Sequence, residues 1–215
     1  LAKIGYDGKS AFTKEQCLHP EDIQVQVLLN QQSPDINQGV DQVDGEIGAG
    51  DQGIMFGFAS SETADYMPAA ITYARMLSDK VYNYALNHNQ KLGVDIKTQV
   101  TIDYGSKENF ENCNPQKIHT IVVSAPSVEG MPIEEVRELI QGLIDDAGLP
   151  TNMYDKDSTI IHINPTGRYV NHSSLHDSGL TGRKLIVDSF GGYSPIGGGA
   201  QSSKDYTKVD RSGLY

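Results

Sequence analysis

Positive charge is scarce in this 215-residue chain: 17 Lys and Arg stand against 28 Asp and Glu, a formal charge of -11. A protein that holds nucleic acid through its phosphates carries the opposite balance, so a nucleic-acid partner is not expected. Long apolar runs are lacking as well. Hydrophobic residues make up 38% of the chain, and no run approaches the roughly 20 residues needed to cross a bilayer, so no membrane residence is expected. Cysteine is limited to Cys17 and Cys113, far apart and without a CxxC pair or a disulfide framework. That pattern favours a reducing compartment, and the cytoplasm is the expected location. The opening Leu1-Ala2-Lys3-Ile4 shows neither an initiator Met nor a signal segment, and Arg211-Ser212-Gly213-Leu214-Tyr215 shows no terminating pattern. The chain therefore reads as an excised piece, large enough for one large or two small soluble domains.

What charge there is, is segregated. From Glu15 to Asp79 there are eleven acidic residues and one basic, Arg75, whereas from Arg168 to Arg211 there are six basic and four acidic. The anion-binding end is thus expected to be the C-terminal one. Gln24 to Leu29 alternates and then turns apolar, which predicts a strand ending in a long polar loop from Asn30 to Asp51. Ile54 to Ala59 is a short apolar run suited to a buried strand. Pro68 fits a first helical position, and Ile71, Ala74, Leu77, Val81, Tyr84 and Ala85 form one apolar stripe, predicting a helix to about Asn87. Val100, Ile102 and Tyr104 alternate with polar neighbours and Ile118 to Ser124 is rich in β-branched residues, so two strands are predicted to pair as a hairpin across Gly105 to Gln116. Pro132 opens a second amphipathic helix carrying Ile133, Val136, Leu139, Ile140, Leu143 and Ile144, with Gly148 as its stop. A strand over Ile160 to Ile163 follows, ended by Asn164-Pro165-Thr166-Gly167. The predicted class is α+β: a two-layer βαββαβ unit from Ile54 to Ile163 with a four-stranded sheet, one face left free to pack on another layer, and parts of two neighbouring domains on either side. The expected boundaries are 1–46 for the end of one domain with a mobile loop, 47–171 for the central domain, and 172–215 for the start of another. Lys184 to Phe190 is predicted to begin a strand of that last part.

Several segments carry chemistry. Gly48-Ala49-Gly50-Asp51-Gln52-Gly53 satisfies G-x-G-x-x-G, but it precedes an apolar strand pattern instead of a helix, which argues against a dinucleotide fold. A tight glycine turn, or a turn that aims Asp51 at a ligand, remains. Gly197-Gly198-Gly199-Ala200 leads to Lys204, yet Ser203 and Asp205 break the Walker A pattern. Consecutive glycines still expose backbone N–H groups as an anion nest, and Lys204, Lys208 and Arg211 add cations; a plain flexible loop is the alternative. Arg183 and Lys184 form a cationic pair that by itself is an ordinary solvated pair. His172 and His176 have i, i+4 spacing, but the Asn, Ser and Gly content from Asn171 to Gly179 argues against a metal-holding helix. Asp177 reads better as a hydrogen-bond acceptor for a polar ligand.

Taken together, three stretches carry a resemblance: Gln32-Ser33-Pro34-Asp35-Ile36-Asn37-Gln38-Gly39-Val40-Asp41 with Gly48 to Gly53; Asn164-Pro165-Thr166-Gly167-Arg168; and Gly179-Leu180-Thr181-Gly182-Arg183-Lys184 through Gly197-Gly198-Gly199-Ala200 to Lys204-Asp205 and Lys208-Val209-Asp210-Arg211. The chain resembles the bacterial S-adenosylmethionine synthetases over essentially its whole length, and it is similar to the middle of their longer sequence. His19-Pro20-Glu21-Asp22 lies too close to Gln32 to stand for the family's opening His-Pro-Asp-Lys motif. The resemblance implies a fold of three similar α+β domains and an enzyme that joins ATP and L-methionine, the sulfur attacking C5′ and the triphosphate leaving to be hydrolysed. It implies Mg2+, two per site, and K+, and a homodimer or dimer of dimers with sites shared between subunits. For this piece alone it implies no turnover. A non-catalytic nucleotide-binding or scaffold fragment of the same fold is the alternative.

Residue by residue, the resemblance implies catalytic roles for Lys97, Arg183, Lys184 and Lys204. It implies ATP contacts from Asp95, Lys97, Arg168, Tyr169, Asp177, Arg183, Lys184, Ala200 and Lys204. Methionine contacts would come from Gln32, Asp51, Asp177 and Lys208, and a Mg2+ ligand from Asp210. Gln32 would open a mobile loop to about Asp41. The chain departs from the family pattern at Asn171 to His176, where a glycine-rich stretch is common, at Ile96, where a small residue is usual, and at Gln201 and Ser203.

Overall fold

The computed structural model describes residues 1–215 apart from 41–44, 46, 181, 198–204 and 215, and apart from the side chains of Val209 and Leu214. The elements run α1 (Pro34–Asn37), α2 (Ala69–Asn87), β1 (Lys97–Asp103), α3 (Lys107–Glu111), β2 (Lys117–Ser124), α4 (Ile133–Asp145), β3 (Ile160–Ile163), α5 (Leu185–Asp188) and α6 (Val209–Leu214). They fall into two compact units, Leu1–Ile23 with Ala59–Ser178 and Gln24–Phe58 with Gly179–Tyr215. No helix among the described residues is long and apolar enough to cross a membrane.

The first unit is a small α+β sandwich. Its sheet has the order β1-β2-β3, with β1 and β2 antiparallel, as the hairpin prediction required, and β2 and β3 parallel. Parallel neighbours need a crossover, and α4 supplies it. Thr101 pairs with Thr120 but Ile102 with Ile118, so His119 is the extra residue of a β-bulge. Pro68 takes the N-cap of α2. The predicted stripe is buried at Ala74, Leu77, Val81 and Ala85, and that of α4 at Val136, Ile140 and Ile144. Both helices share one core with Val100, Ile118, Ile121, Val123 and Ile163. Burying each large aliphatic side chain contributes about 1.5–3 kcal/mol. The opposite face stays exposed at Gln99, Thr101, Ile160 and His162, as a sheet with one free face predicts.

Three strand predictions are corrected. Gln24 to Leu29 and Ile54 to Ala59 form no strand, and Val25, Leu29 and Ile54 are 81%, 88% and 70% exposed. Among the described residues the sheet consequently has three strands, not four. The reason is the same at both sites: alternation and apolarity create the capacity for a ladder, but a strand needs a neighbour to bond with. Lys184 to Phe190 is the third. Here the chain closes one helical turn, with Asp188 N–H donating to the Lys184 carbonyl and Ser189 N–H to that of Leu185, and Gly191 and Gly192 at positive φ follow it. Local bonds satisfy the backbone where no partner strand does. The Gly105 to Gln116 connection also holds the short helix α3, capped by Ser106 accepting from Asn109 N–H.

Candidate functional site

Topology assembles one site in the first unit. Because β1 is antiparallel to β2, its start lies beside the end of β2, with Lys97 opposite Ser124; because β3 is parallel to β2, its end lies there too, with Ile163 opposite Val123. The residues before β1 and the loop after β3 therefore lie at the same end of the sheet. Asn164 anchors that loop. Its φ is 44°, its Oδ1 accepts from Ala125 N–H at 3.0 Å, and its Nδ2 donates to the Ala125 carbonyl at 3.0 Å. Ser127 N–H then donates to the Tyr169 carbonyl at 2.8 Å.

Asp95 is the hub. One carboxylate oxygen accepts from the Tyr169 hydroxyl at 2.9 Å and from Ser173 N–H at 3.1 Å. Burial and the Asp95 carboxylate together raise the Tyr169 hydroxyl pKa well above its ordinary value. The same two causes push Tyr6 up to about 12, and burial raises the Cys17 thiol. These groups are neutral near pH 7, so the negative charge at this end is carried by carboxylates. Lys97 Nζ lies 3.7 Å from an Asp177 carboxylate oxygen, with the side chains 64% and 79% exposed. Such an exposed pair contributes about 0–1 kcal/mol, so a polyanion can displace Asp177 from the lysine at little cost. Arg168 is exposed beside Tyr169.

A second group forms in the other unit. Gly50 N–H donates to the Thr207 carbonyl at 2.8 Å, Lys208 Nζ donates to the Gly50 carbonyl at 3.4 Å, and Arg211 donates to the Gly48 carbonyl at 3.0 Å. A Cβ at Gly50 would sit 2.9 Å from Lys208 Nζ and 3.1 Å from Val40 Cγ2. The glycine turn is thus a latch, which brings Asp51 to the segment carrying Lys208 and Asp210. Asp210 is exposed in the first turn of α6. Hydrogen bonds from Thr207 lower the Asp205 carboxyl pKa. Gln32 is exposed just before α1, and Arg183 and Lys184 are exposed at the start of α5. Ala200 and Lys204 lie outside the described residues, as do Gly198 and Gly199 of the glycine run.

The structure therefore gathers Asp95, Lys97, Tyr169 and Asp177 in one unit, and Asp51 and Lys208 in the other. Sequence reasoning missed Ser173, Asn164, Cys17 and Tyr6. Asn164 alone left a signal, in the turn-forming Asn-Pro that closes β3. No group of three or more His, Cys, Asp or Glu among the described residues could hold a metal ion by itself. His172 and His176 sit in a turn, not on a helix, each bonded to a backbone carbonyl. A lone carboxylate such as Asp210 fits Mg2+ in the way that ion usually binds, through one or two carboxylates with substrate phosphates and water.

Comparisons with known proteins give the family. The family model for the S-adenosylmethionine synthetase central domain matches residues 46–169, and that for the C-terminal domain matches residues 172–215. An S-adenosylmethionine synthase of Lacticaseibacillus casei is 42% identical over all of this chain and 54% of its own length; one of Salinibacter ruber is 43% identical over all of this chain and 53% of its own. A solved Campylobacter jejuni S-adenosylmethionine synthetase, described as unusual, superposes with a TM-score of 0.87 at 69% identity, covering 99% of this chain and 52% of that one. The chain spans about half the length of the curated relatives it matches. With family models covering more than half of its residues and a close structural relative over nearly all of them, the chain belongs to the S-adenosylmethionine synthetase family.

Proposed function

We propose that this chain is the central part of an enzyme that makes S-adenosylmethionine from ATP and L-methionine. The methionine sulfur attacks C5′ of ATP, an S–C5′ bond forms as the C5′–O5′ bond breaks, and triphosphate leaves with the electron pair; water then splits it into phosphate and diphosphate. The nucleophile is a neutral thioether and the leaving group a polyanion, so the chemistry needs charge neutralisation more than proton transfer. Lys97, Arg183, Lys184 and Lys204 are the cations for that task. Asp95, Arg168, Tyr169, Asp177 and Ala200 complete the nucleotide contacts, and Gln32, Asp51, Asp177 and Lys208 those to methionine. Two Mg2+ per site, one on Asp210, and K+ would supply further positive charge to the phosphates. The reading extends to a cytoplasmic homodimer or dimer of dimers with shared sites, and to domain segments 1–46, 47–171 and 172–215.

The observation that supports it most is the convergence at one end of the sheet: of the residues that the resemblance implies, Tyr169 bonds to Asp95 and Lys97 pairs with Asp177, and Ser173 joins the two pairs. The test is Lys97→Ala in the intact gene product, assayed for S-adenosylmethionine formation and tripolyphosphatase activity. Removing one preorganised contact to developing charge costs about 100- to 1,000-fold in kcat, with a much smaller change in the KM for ATP. A kcat within about threefold of wild type overturns Lys97's role. An intact product that binds ATP and never turns over overturns the synthase reading.

A further inference from the structure

The turn from Tyr169 to Asp177 carries two of the proposed substrate contacts, and it is built around His172, inside the Asn171 to His176 stretch that departs from the family pattern. His172 is 2% exposed. Its Nδ1–H donates to the Val170 carbonyl at 2.9 Å, which fixes the neutral tautomer with Nε2 unprotonated. The ring meets Phe12 edge-on at 4.5 Å between centroids and Tyr169 at 6.4 Å. Its far side is moulded to Gly93: a Cβ there would lie 2.7 Å from Nε2 and 2.9 Å from Pro126 Cγ. Around the ring, the 1–23 segment is stapled to the turn. Backbone N–H of His172 donates to the Gln16 carbonyl at 2.8 Å, Leu18 N–H to Ser173 Oγ at 2.9 Å, and the His176 ring to the Glu15 carbonyl at 2.7 Å. Ser173, held at φ 71°, is thereby aimed at Asp95.

We propose that the neutral His172 imidazole is a positioning residue that seats the Tyr169–Asp177 turn, so that Tyr169 and Ser173 reach Asp95 and Asp177 reaches Lys97. Acid unseats it, because a charged ring has no place among Phe12, Gly93 and Pro126. The charged groups around the ring act in both directions. Asp95 favours the charged ring and His176 opposes it, but burial dominates and holds the His172 pKa below its ordinary value. Tyr6, Tyr169 and Cys17 are neutral, Lys97 and Asp177 offset each other, Glu129 bonds to Gln16, and His19 bonds to the Phe12 carbonyl. For a histidine with a depressed folded pKa, the stabilisation is complete above the ordinary value near 6.5 and is lost as pH falls through the folded one.

This inference deepens the proposed function, and its test separates the two. In the intact gene product without substrates, hydrogen exchange over residues 169–178, corrected for intrinsic rates, should rise as pH falls from about 7.5 to about 5. H172F keeps the ring shape without the Nδ1 donor or the titration; H172N keeps a donor near the Nδ1 position and cannot titrate. Both should abolish the acid step. H172F should raise the KM for ATP and methionine by about 10- to 100-fold, the order of one lost charged hydrogen bond, with a smaller change in kcat because the displaced contacts bind substrate and transition state alike. H172N should restore most of it. Loss of stability alone would lower the active fraction and leave KM untouched. Wild-type exchange that ignores pH, an acid step that survives in the variants, or an unchanged KM in H172F each overturns the proposal. Should H172F not fold, H172N and the wild-type exchange profile still decide. If the intact product makes no S-adenosylmethionine while the acid step depends on His172, the synthase reading falls and the seating of the turn stands.

Discussion

Ile118 to Val123 in the first unit and Gln24 to Leu29 in the second are both apolar, β-prone runs, yet they end in opposite places. In the first, Ile118, Ile121 and Val123 are at most 1% exposed beneath two helices. In the second, Val25, Val27, Leu28 and Leu29 are 70–88% exposed, and the segment bonds to no strand. Composition does not separate them. A ladder neighbour and an amphipathic roof do, and among the described residues the first unit alone has both.

That contrast should be widest where the roof is thinned. Ile140 is fully buried on α4, within the core cluster that also holds Ile121 and Val123. Ile140→Ala should destabilise the first unit by about 2–5 kcal/mol, read as a fall in thermal midpoint and in the hydrogen-exchange protection of β2. The exchange of Gln24 to Leu29 should not change.

A comparable effect is expected at the joint between fold and site. Asn164→Ala leaves both polar groups of Ala125 unpaired, and that residue is fully buried. The cost is about 1–3 kcal/mol for each of the two groups that stays dry, with added strain because alanine must adopt φ 44°. The protection of residues 169–178 should fall along with global stability. A loss confined to the sheet would show that the loop is anchored by Ser127 and the 1–23 segment instead.

How far this was legible in the sequence follows from the same physics. The stripes of α2 and α4 and the β1–β2 hairpin were readable because period and turn chemistry are local. The free sheet face was readable from the element order, since both helices can cover the same face of the sheet. The strands over Gln24 to Leu29 and Ile54 to Ala59 were over-read, since periodicity reports what a segment can do and not whether a neighbour exists. In the candidate site, motif resemblance picked out Asp95, Lys97, Tyr169 and Asp177. Ser173 was not legible, because it acts through its backbone N–H at a positive φ set by the 1–23 segment. His172 looked like half of a failed metal motif; its use as a core wedge depends on Gly93, which no spacing rule connects to it.

The smallest effect should come from the second unit, and it tests the reading of exposure directly. Leu29 is 88% exposed, so Leu29→Ser removes little buried surface from this chain. Substitutions at exposed positions away from caps, cores and networks stay within about 0.5 kcal/mol. The alternating run would also lose strand capacity, but there is no ladder bond in this segment for that loss to weaken. We therefore expect unchanged thermal unfolding of the 215-residue chain, alongside the large loss at Ile140. The same substitution in the intact gene product distinguishes a solvated segment from a covered one. A change again within about 0.5 kcal/mol means that Leu29 stays in solvent there, whereas a loss of about 1.5 kcal/mol or more means that another surface buries it, and the contrast between the two runs disappears.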